Sequence, residues 1–344
     1  MKTIIFFQGV YDTLDLFTDN LIDAFSAMGY GTFVYHTAEQ ERSREELFTR
    51  LVQTAGMENK SYSQLTQAEL DALKGVDLSQ QFAVVTFNNL GYNLEFSLSG
   101  SKSGKTYFCG GEETENLWEF FRIPYLNILM DHPFHYEKPL RNAPETAIVL
   151  CTDRNHVKYI RRFFRNIHQV DFLPHAGVEL HCKHKPIAER GIDVLYAGAL
   201  PIYTVAKMIP DLSSIREVDG EDMMQSVLSD LVHNPQKTTE QAIEEYVKSK
   251  RNDVSDERLQ EIIVKMRFVD SYATSFFREQ AVRILVESGV QVTAYGTGWN
   301  QCEWSDNPHL TYGGKVLAPQ ILPLMNDSKI VLNTMTWFKA GSHD

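Results

Sequence analysis

The sequence predicts an α/β protein made of two consecutive domains in which strands and helices alternate. The apolar run TIIFFQG, residues 3–9, ends in glycine and is followed by a helical pattern, as a βα unit begins. The run DVLYAGAL, residues 193–200, starts the same order again. Between them, residues 176–190 show no periodicity and are typical of a linker. We therefore expect two Rossmann-like domains, 1–182 and 183–344, that face each other across a cleft.

The first domain opens with one complete βαβ unit. After the strand at 3–9, Leu21, Phe25 and Met28 recur at the spacing of one helix face. Gly29 stands where that helix should end, and the run GTFVY then predicts the second strand. The order strand, glycine loop, helix, glycine, strand favours a parallel sheet.

Further strands and polar helical segments follow in the first domain. Residues 37–80 are polar and helical in pattern, and FAVVTF, residues 82–87, predicts the next strand. Residues 95–109 predict a hairpin or a flexible arm, because their middle is rich in glycine and serine. The apolar run YLNILM, residues 125–130, breaks off at Asp131. Two more apolar runs, TAIVLC and VDFLP, predict the remaining strands of this domain.

The second domain repeats this order around a large insertion. Residues 211–270 are charged and helical in pattern, which predicts a helical insertion in this domain. The next helix should end at Gly289, before the strand VQVTAY. Its predicted apolar face consists of Phe277, Ala281, Ile284 and Leu285. HLTYGG and SKIVLN predict the last two strands, on either side of a helix over APQILPLMND.

Charge and composition exclude several classes of partner. With a net charge of −12, the chain lacks the basic stripe that a nucleic acid or an anionic membrane surface requires, so we expect no nucleic-acid partner. No window approaches the roughly 20 apolar residues of a membrane helix, so we expect no transmembrane segment. The opening apolar stretch is too short for a secretory signal, and no CxxC pair occurs. These features favour a reduced, cytoplasmic setting.

One group of metal-binding residue types occurs in the linker. His181, Cys182 and His184 lie within HCKHK, but no fourth ligand follows at a suitable spacing. We therefore expect no bound metal.

Three ionisable side chains stand where the strand at 125–130 ends: Asp131, His132 and His135. Ligands of open parallel sheets bind at the carboxyl ends of strands. An acid or an imidazole there can deprotonate or orient a hydroxyl near neutral pH. Asp131 and His132 are therefore the candidate catalytic residues. The alternative is a turn acid followed by Pro133, with histidines that are merely exposed.

Gly9 and Gly198 each follow the first strand of a domain. A glycine there allows close backbone approach and can leave main-chain N–H groups for a ligand. Neither belongs to a GxGxxG fingerprint, since QGVYDT and AGALPI lack the later glycines. This absence disfavours a nicotinamide-dependent oxidoreductase. A simple tight turn is the alternative at both positions.

The run AYGTGW, residues 294–299, ends a strand with two glycines and a tryptophan. Tyr295 or Trp299 could stack on a planar base, while Gly296 keeps the loop close to it. The alternative is an ordinary turn in which Trp299 covers the core.

The segment TWFKAGSHD, residues 336–344, follows the last predicted strand. Gly341 and Ser342 could offer N–H and O–H donors to a phosphate, with Lys339 as counter-charge. A glycine loop with no helix behind it forms half of a phosphate site, and a frayed terminus is the alternative.

These motifs together carry a resemblance. The order of DVLYAGAL, SFFREQAVRILVESGVQVTAYGTGW, HLTYGGKVLAPQILPLMNDSKIVLN and GSHD resembles the CgeB-type, spore-protein glycosyltransferase-like family. RIPYLNILMDHPF is similar to that family's first-domain segment. The resemblance covers residues 120–344 and is most specific from 274 onward. It implies a GT-B fold, in which two Rossmann-like domains hold a nucleotide-sugar donor mainly through the second.

By this resemblance, the donor site consists of Gly198, Tyr295, Gly296, Trp299, Gly341 and Ser342. Asp131 would face the acceptor molecule, on the side of the first domain that also carries Gly9 and His135. The implied activity is transfer of a sugar from a nucleotide-sugar to an acceptor hydroxyl. The resemblance also implies no cofactor and no metal, because GT-B enzymes usually work without a bound metal.

The family's pattern continues beyond GSHD with an arginine, a helix and a further strand. We therefore expect a second domain that is incomplete at its C-terminus, which puts donor affinity in question. The alternative function is a non-catalytic GT-B-like module that binds a ligand or a partner and lacks a complete donor site.

Overall fold

The computed structural model describes residues 1–97, 114–177, 183–200 and 209–334. The chain divides into two compact units, Met1–Pro174 and His175–Asp344. Each unit contains its own parallel sheet with helices packed on it. The predicted α/β class is therefore confirmed.

The first unit contains eight strands in its described part, and its elements follow the predicted order. The strands are β1 (Thr3–Gln8), β2 (Gly31–His36), β3 (Phe82–Phe87), β4 (Glu95–Ser97), β5 (Thr114–Asn116), β6 (Tyr125–Leu129), β7 (Ala147–Cys151) and β8 (Gln169–Phe172). The helices are α1 (Asp12–Ala27), α2 (Gln40–Thr54), α3 (Gln67–Leu73), α4 (Leu117–Phe120), α5 (Glu137–Arg141) and α6 (Arg154–Phe163).

Six of these strands form one parallel sheet in the order β2-β1-β3-β6-β7-β8. The chain moves outward from β1 to β2 and then returns to the other side of β1 with β3. The strand order therefore reverses between β1 and β3, which is where ligands bind in open α/β sheets. The strands β4 and β5 form a separate antiparallel pair, and the predicted arm between them lies outside the described residues.

Burial on both faces explains why the central strands of this sheet are continuously apolar. Side chains alternate along β1, so Ile5 and Phe7 join one core while Ile4 and Phe6 join the other. The same alternation divides β3, whose six residues are all buried. Helix α1 ends as predicted, with Gly29 at a left-handed φ of 85°.

The second unit has a four-stranded parallel sheet in the order β11-β10-β9-β12. Its strands are β9 (Ile192–Ala197), β10 (Val292–Tyr295), β11 (Leu310–Gly314) and β12 (Ser328–Leu332). Its helices are α7 (Gly220–His233), α8 (Thr239–Lys250), α9 (Asp256–Met266), α10 (Phe268–Glu287) and α11 (Ala318–Asn326). The order reverses between β9 and β12, so the carboxyl end of β9 is the expected ligand-binding position of this sheet.

The predicted apolar face of α10 is correct only in part, because the buried face is rotated about the helix axis from the predicted one. Val282 and Val286 are fully buried and pack in the sheet core, whereas Ile284 is 59% exposed. Leu285 is half-buried and packs against this core as predicted, and Phe277 is half-buried. The run AVRILV offers two overlapping apolar stripes, and periodicity does not decide which stripe meets the sheet.

Within the described ranges, no helix combines the length and the apolar character that a membrane crossing requires.

Candidate functional site

Polar side chains of the first unit collect where β1, β3 and β6 end. These strands are neighbours in the sheet, and Gly9, Asn88 and Asp131 follow them. Because the carboxyl ends of parallel strands meet at one edge, residues far apart in the chain lie together there. The structure thus adds Asn88 to the residues that the sequence singled out at this edge.

Asp131 is held in place through one of its two carboxylate oxygens. Asn88 Nδ2 donates to Asp131 Oδ2 at 3.1 Å, and the Tyr136 hydroxyl donates to the same oxygen at 2.8 Å. No hydrogen bond from the described residues reaches Oδ1, and Asp131 is exposed to solvent. The arrangement orients the carboxylate and leaves Oδ1 accessible to a ligand.

Asn88 links β3 to the end of β6. Its amide N–H donates to the carbonyl of Ile128 at 2.9 Å, and its Oδ1 accepts from the amide of Met130 at 2.9 Å. Its φ is 49°, in the left-handed region that asparagine tolerates better than most residues. Asn88 therefore anchors the loop that carries Asp131 as well as the carboxylate itself.

A buried amide pair lies beneath this loop. Asn127 Oδ1 accepts from the amide of Asn89 at 2.8 Å, and Asn127 Nδ2 donates to Asn89 Oδ1 at 2.7 Å. Both side chains are at most 3% exposed. Because buried polar groups are costly when unpaired, this reciprocal pair ties the end of β3 to β6.

Tyr136 ends the short 3₁₀ helix Pro133–Tyr136 that follows Asp131. Burial raises the pKa of the Tyr136 phenol, and the negative charge of Asp131 raises it further. The phenol therefore keeps its proton at neutral pH and stays a donor to the carboxylate. The sequence did not indicate this role, because Tyr136 is one of several aromatic residues in HPFHY and nothing distinguishes it from the others.

His132 has a structural role that its position in the sequence did not predict. Its Nδ1 accepts a hydrogen bond from the amide of Phe134 at 3.1 Å and so caps the 3₁₀ helix. Its ring stacks on Phe134 with centroids 3.7 Å apart and lies 4.6 Å from the ring of His156. The Nδ1 lone pair is thus occupied and cannot at the same time accept a proton from a ligand.

His135 and Gly9 complete the predicted residues of the first unit. His135 is exposed, beside Phe134 at a centroid distance of 4.6 Å. Gly9 has a φ of 98°, and its amide donates to the Asp15 carboxylate at 3.0 and 3.2 Å. The Gly9 amide is therefore used within the chain, which favours the tight turn over a contact with a ligand.

In the second unit, the loops after β9 and β10 pack tightly against each other. Gly198 N–H donates to the carbonyl of Tyr295 at 2.9 Å, and Gly296 N–H donates to the carbonyl of Gly314 at 2.9 Å. Gly296 has a φ of 121°, and a Cβ there would lie 2.5 Å from the Gly198 oxygen. Gly296 permits this close approach, Gly198 makes room for the Tyr196 ring, and the amides of both glycines are engaged within the chain.

Trp299 is fully buried, and its Nε1 donates to the Gly198 carbonyl at 2.8 Å. Its ring packs against Tyr196 with centroids 5.2 Å apart. This packing favours the alternative in which Trp299 covers the core, because a fully buried ring has no face left for a base.

Tyr295 is half-buried and lies across the neighbouring strand β11. A Cβ at Gly313 would lie only 2.3 Å from the Tyr295 ring, so glycine makes room for that ring. Gly341 and Ser342, the predicted phosphate loop, lie outside the described residues.

The structure adds one residue at this edge, Arg278 of α10. Its Nη1 donates to the carbonyl of Ala199, directly after Gly198, at 2.9 Å. The two partners are 79 residues apart in the chain, so helical periodicity alone could not connect them.

The described residues of the two units were compared with the geometry of metal centres. In the part of the chain that the structure describes, no group of three or more His, Cys, Asp or Glu residues is placed to hold a metal ion. Of the linker residues named above, only His184 is described, and its Nδ1 lies 3.2 Å from Asn326 Oδ1.

Comparisons with protein-family models, with curated proteins and with solved structures gave no match. The fold and the two sheet edges therefore define the class only as an α/β protein with two parallel sheets.

Proposed function

We propose that this protein is a glycosyltransferase that moves a sugar from a nucleotide-sugar donor to an acceptor hydroxyl. The observation that carries the proposal is the Asp131 carboxylate, fixed through Oδ2 by Asn88 and Tyr136 with Oδ1 accessible. The motifs of the second half, which resemble the CgeB-type family, support the same activity. A GT-B-like architecture is part of this proposal.

In this proposal, Asp131 is the general base of the transfer. Its Oδ1 accepts the proton of the acceptor hydroxyl while the hydroxyl oxygen forms a bond to the anomeric carbon. The bond from that carbon to the donor's diphosphate breaks, and the diphosphate leaves with the electron pair. A positioned base of this kind typically contributes about 10²–10⁴-fold to the rate. Asn88 and Tyr136 position the carboxylate and do not exchange protons themselves.

The donor is proposed to bind at the second unit, at the carboxyl ends of β9 and β10. Gly198 and Gly296 lie at those strand ends, where the lack of side chains lets Tyr196 and the two loops pack closely, and Tyr295 is half-buried beside them. Gly341 and Ser342 belong to this donor site by resemblance. The proposed reaction uses neither a cofactor nor a metal.

The test is an assay of nucleoside diphosphate release from a panel of nucleotide-sugars, with and without hydroxyl-bearing acceptor molecules. The proposal expects release that depends on the acceptor and a glycosylated product of matching mass. Binding of nucleotide-sugars with no release for any donor and acceptor combination would contradict it.

A second candidate function is ligand binding without transfer. The observation that favours it is that the amides of Gly9, Gly198 and Gly296 all donate within the chain. Such a module would bind a nucleotide-sugar and leave it intact, so the same assay separates the two candidates.

A further inference from the structure

Arg278 is a half-buried cation at the carboxyl end of the central strand β9. It lies in α10, and its Nη1 donates to the Ala199 carbonyl at 2.9 Å. Ala199 belongs to the loop that also includes Gly198, whose carbonyl accepts from Trp299. The guanidinium is therefore held against the loop where a ligand of this sheet is expected.

No carboxylate neutralises Arg278 among the described residues. The neighbouring Glu279 accepts from Trp304 Nε1 at 2.9 Å, and Arg283 on the same helix pairs with Glu287 at 2.7 Å. Charged side chains that are withdrawn from water are normally paired, because desolvating an isolated charge is costly. A half-buried arginine with no carboxylate partner in the described ranges has guanidinium donors suited to an anionic ligand.

The charge of this sheet edge agrees with an anionic ligand. The described residues that follow the four strands are 198–200, 296–300, 315–317 and 333–334; they include Lys315 but no Asp or Glu. The described part of this edge therefore has no acid, although the net charge of the chain is −12. In the first unit, by contrast, Asp15 and Asp131 lie at the corresponding edge.

Two further backbone amides lie at the same edge. The N–H groups of Ala199 and Thr297 have no acceptor among the described residues. Both belong to the loops after β9 and β10. Amide N–H groups and a guanidinium are the donors that typically hold phosphate in proteins.

We propose that Arg278, with residues 198–200 and 296–298, binds the phosphate groups of a phosphorylated ligand. One guanidinium N–H is used by Ala199, which fixes the orientation of the plane. The remaining donors can bind two phosphate oxygens in one plane, a paired geometry that the single ammonium nitrogen of lysine does not offer. The assignment of this phosphate to the diphosphate of a nucleotide-sugar rests on the proposed function.

The test is calorimetric titration of the full chain with inorganic pyrophosphate and with uridine diphosphate. We expect both to bind the wild type, and Arg278→Gln to weaken both by at least about tenfold, a typical loss for a charge-assisted hydrogen bond. The affinities of Arg278→Lys should lie between those of the wild type and those of Arg278→Gln. Arg283→Gln is the matched control, because it removes a cation of the same helix that is paired with Glu287, and its affinities should equal those of the wild type.

Two results would overturn this inference. One is a wild type that binds neither pyrophosphate nor uridine diphosphate; the other is a folded Arg278→Gln or Arg278→Lys variant that binds both as tightly as wild type. The melting temperature of each variant shows whether it is folded, and Arg278→Lys serves if Arg278→Gln is not. Pyrophosphate binding that depends on Arg278, in a protein with no sugar transfer, would support the phosphate site and contradict the glycosyltransferase.

Discussion

Asn88 Nδ2 and Asp131 Oδ2 are 3.1 Å apart, although the two residues are separated by 43 positions in the chain. The contact exists because β3 and β6 are neighbours in the sheet and both end at the same edge. Together with Tyr136, Asn88 determines which carboxylate oxygen of Asp131 is open to a ligand. The predictions for the first unit follow from this arrangement.

Asp131→Asn should reduce turnover by about 10²–10⁴-fold and leave nucleotide affinity near that of the wild type, because a positioned base would be lost. Turnover, nucleotide affinity and melting temperature should be measured on this variant and on Asp71→Asn. Asp71 is an exposed acid of α3 whose removal should change none of them. Normal turnover in Asp131→Asn, with a slightly lower melting temperature, would identify Asp131 as a turn acid.

Tyr136→Phe should lower turnover by roughly tenfold while the fold is retained. The substitution removes one of the two donors to Asp131 Oδ2, and a typical hydrogen bond contributes about 0.5–1.5 kcal/mol, or more to a charged group. The control is Tyr30→Phe, which removes the hydroxyl of an exposed tyrosine outside the site. Equal turnover in both variants would show that the phenol does not position the carboxylate.

Trp299→Phe should destabilise the protein and leave nucleotide affinity unchanged. The buried indole fills the core beside Tyr196 and donates to the Gly198 carbonyl, so its loss costs packing and a hydrogen bond. Leaving that carbonyl without its partner costs roughly 1–3 kcal/mol, measurable by denaturant unfolding. The opposite outcome, weaker nucleotide binding at unchanged stability, would support stacking of Trp299 on a base.

Glu69 should make part of the stability depend on acid pH. A hydrogen bond from Lys60, followed by the amide and hydroxyl of Thr66, lowers the pKa of the Glu69 carboxyl from 4.5 to about 2. Because the folded-state pKa is lowered, this stabilisation is present above about pH 4.5 and is lost as the pH falls toward 2. Glu69→Gln should therefore flatten the stability profile over that window.

The pH profile of Glu69→Gln is best compared with that of Glu58→Gln, which replaces an exposed carboxyl outside this cluster. Unfolding free energies measured between pH 2 and pH 5 should differ in slope between the two variants. Parallel profiles would mean that Lys60 and Thr66 do not stabilise the charged carboxylate.

The sequence by itself determined where strands and helices begin and end along this chain. Apolar runs predicted the strands, and Gly29 and Gly289 marked helix ends that the structure confirms with left-handed φ values. The break after YLNILM placed Asp131 at the end of a strand, where it lies. Each of these inferences depends on residues that are close in the chain, which is why side-chain periodicity and backbone preference were sufficient.

Tertiary structure alone decided which distant residues meet. The contacts of Asn88 with Asp131 and of Arg278 with Ala199 depend on strand order and helix packing, across 43 and 79 residues. The burial of Trp299 and the face that α10 turns to the sheet depend on the same packing. Periodicity specifies that an apolar stripe exists, but the free energy of burial selects among competing stripes and partners only when the whole sheet assembles.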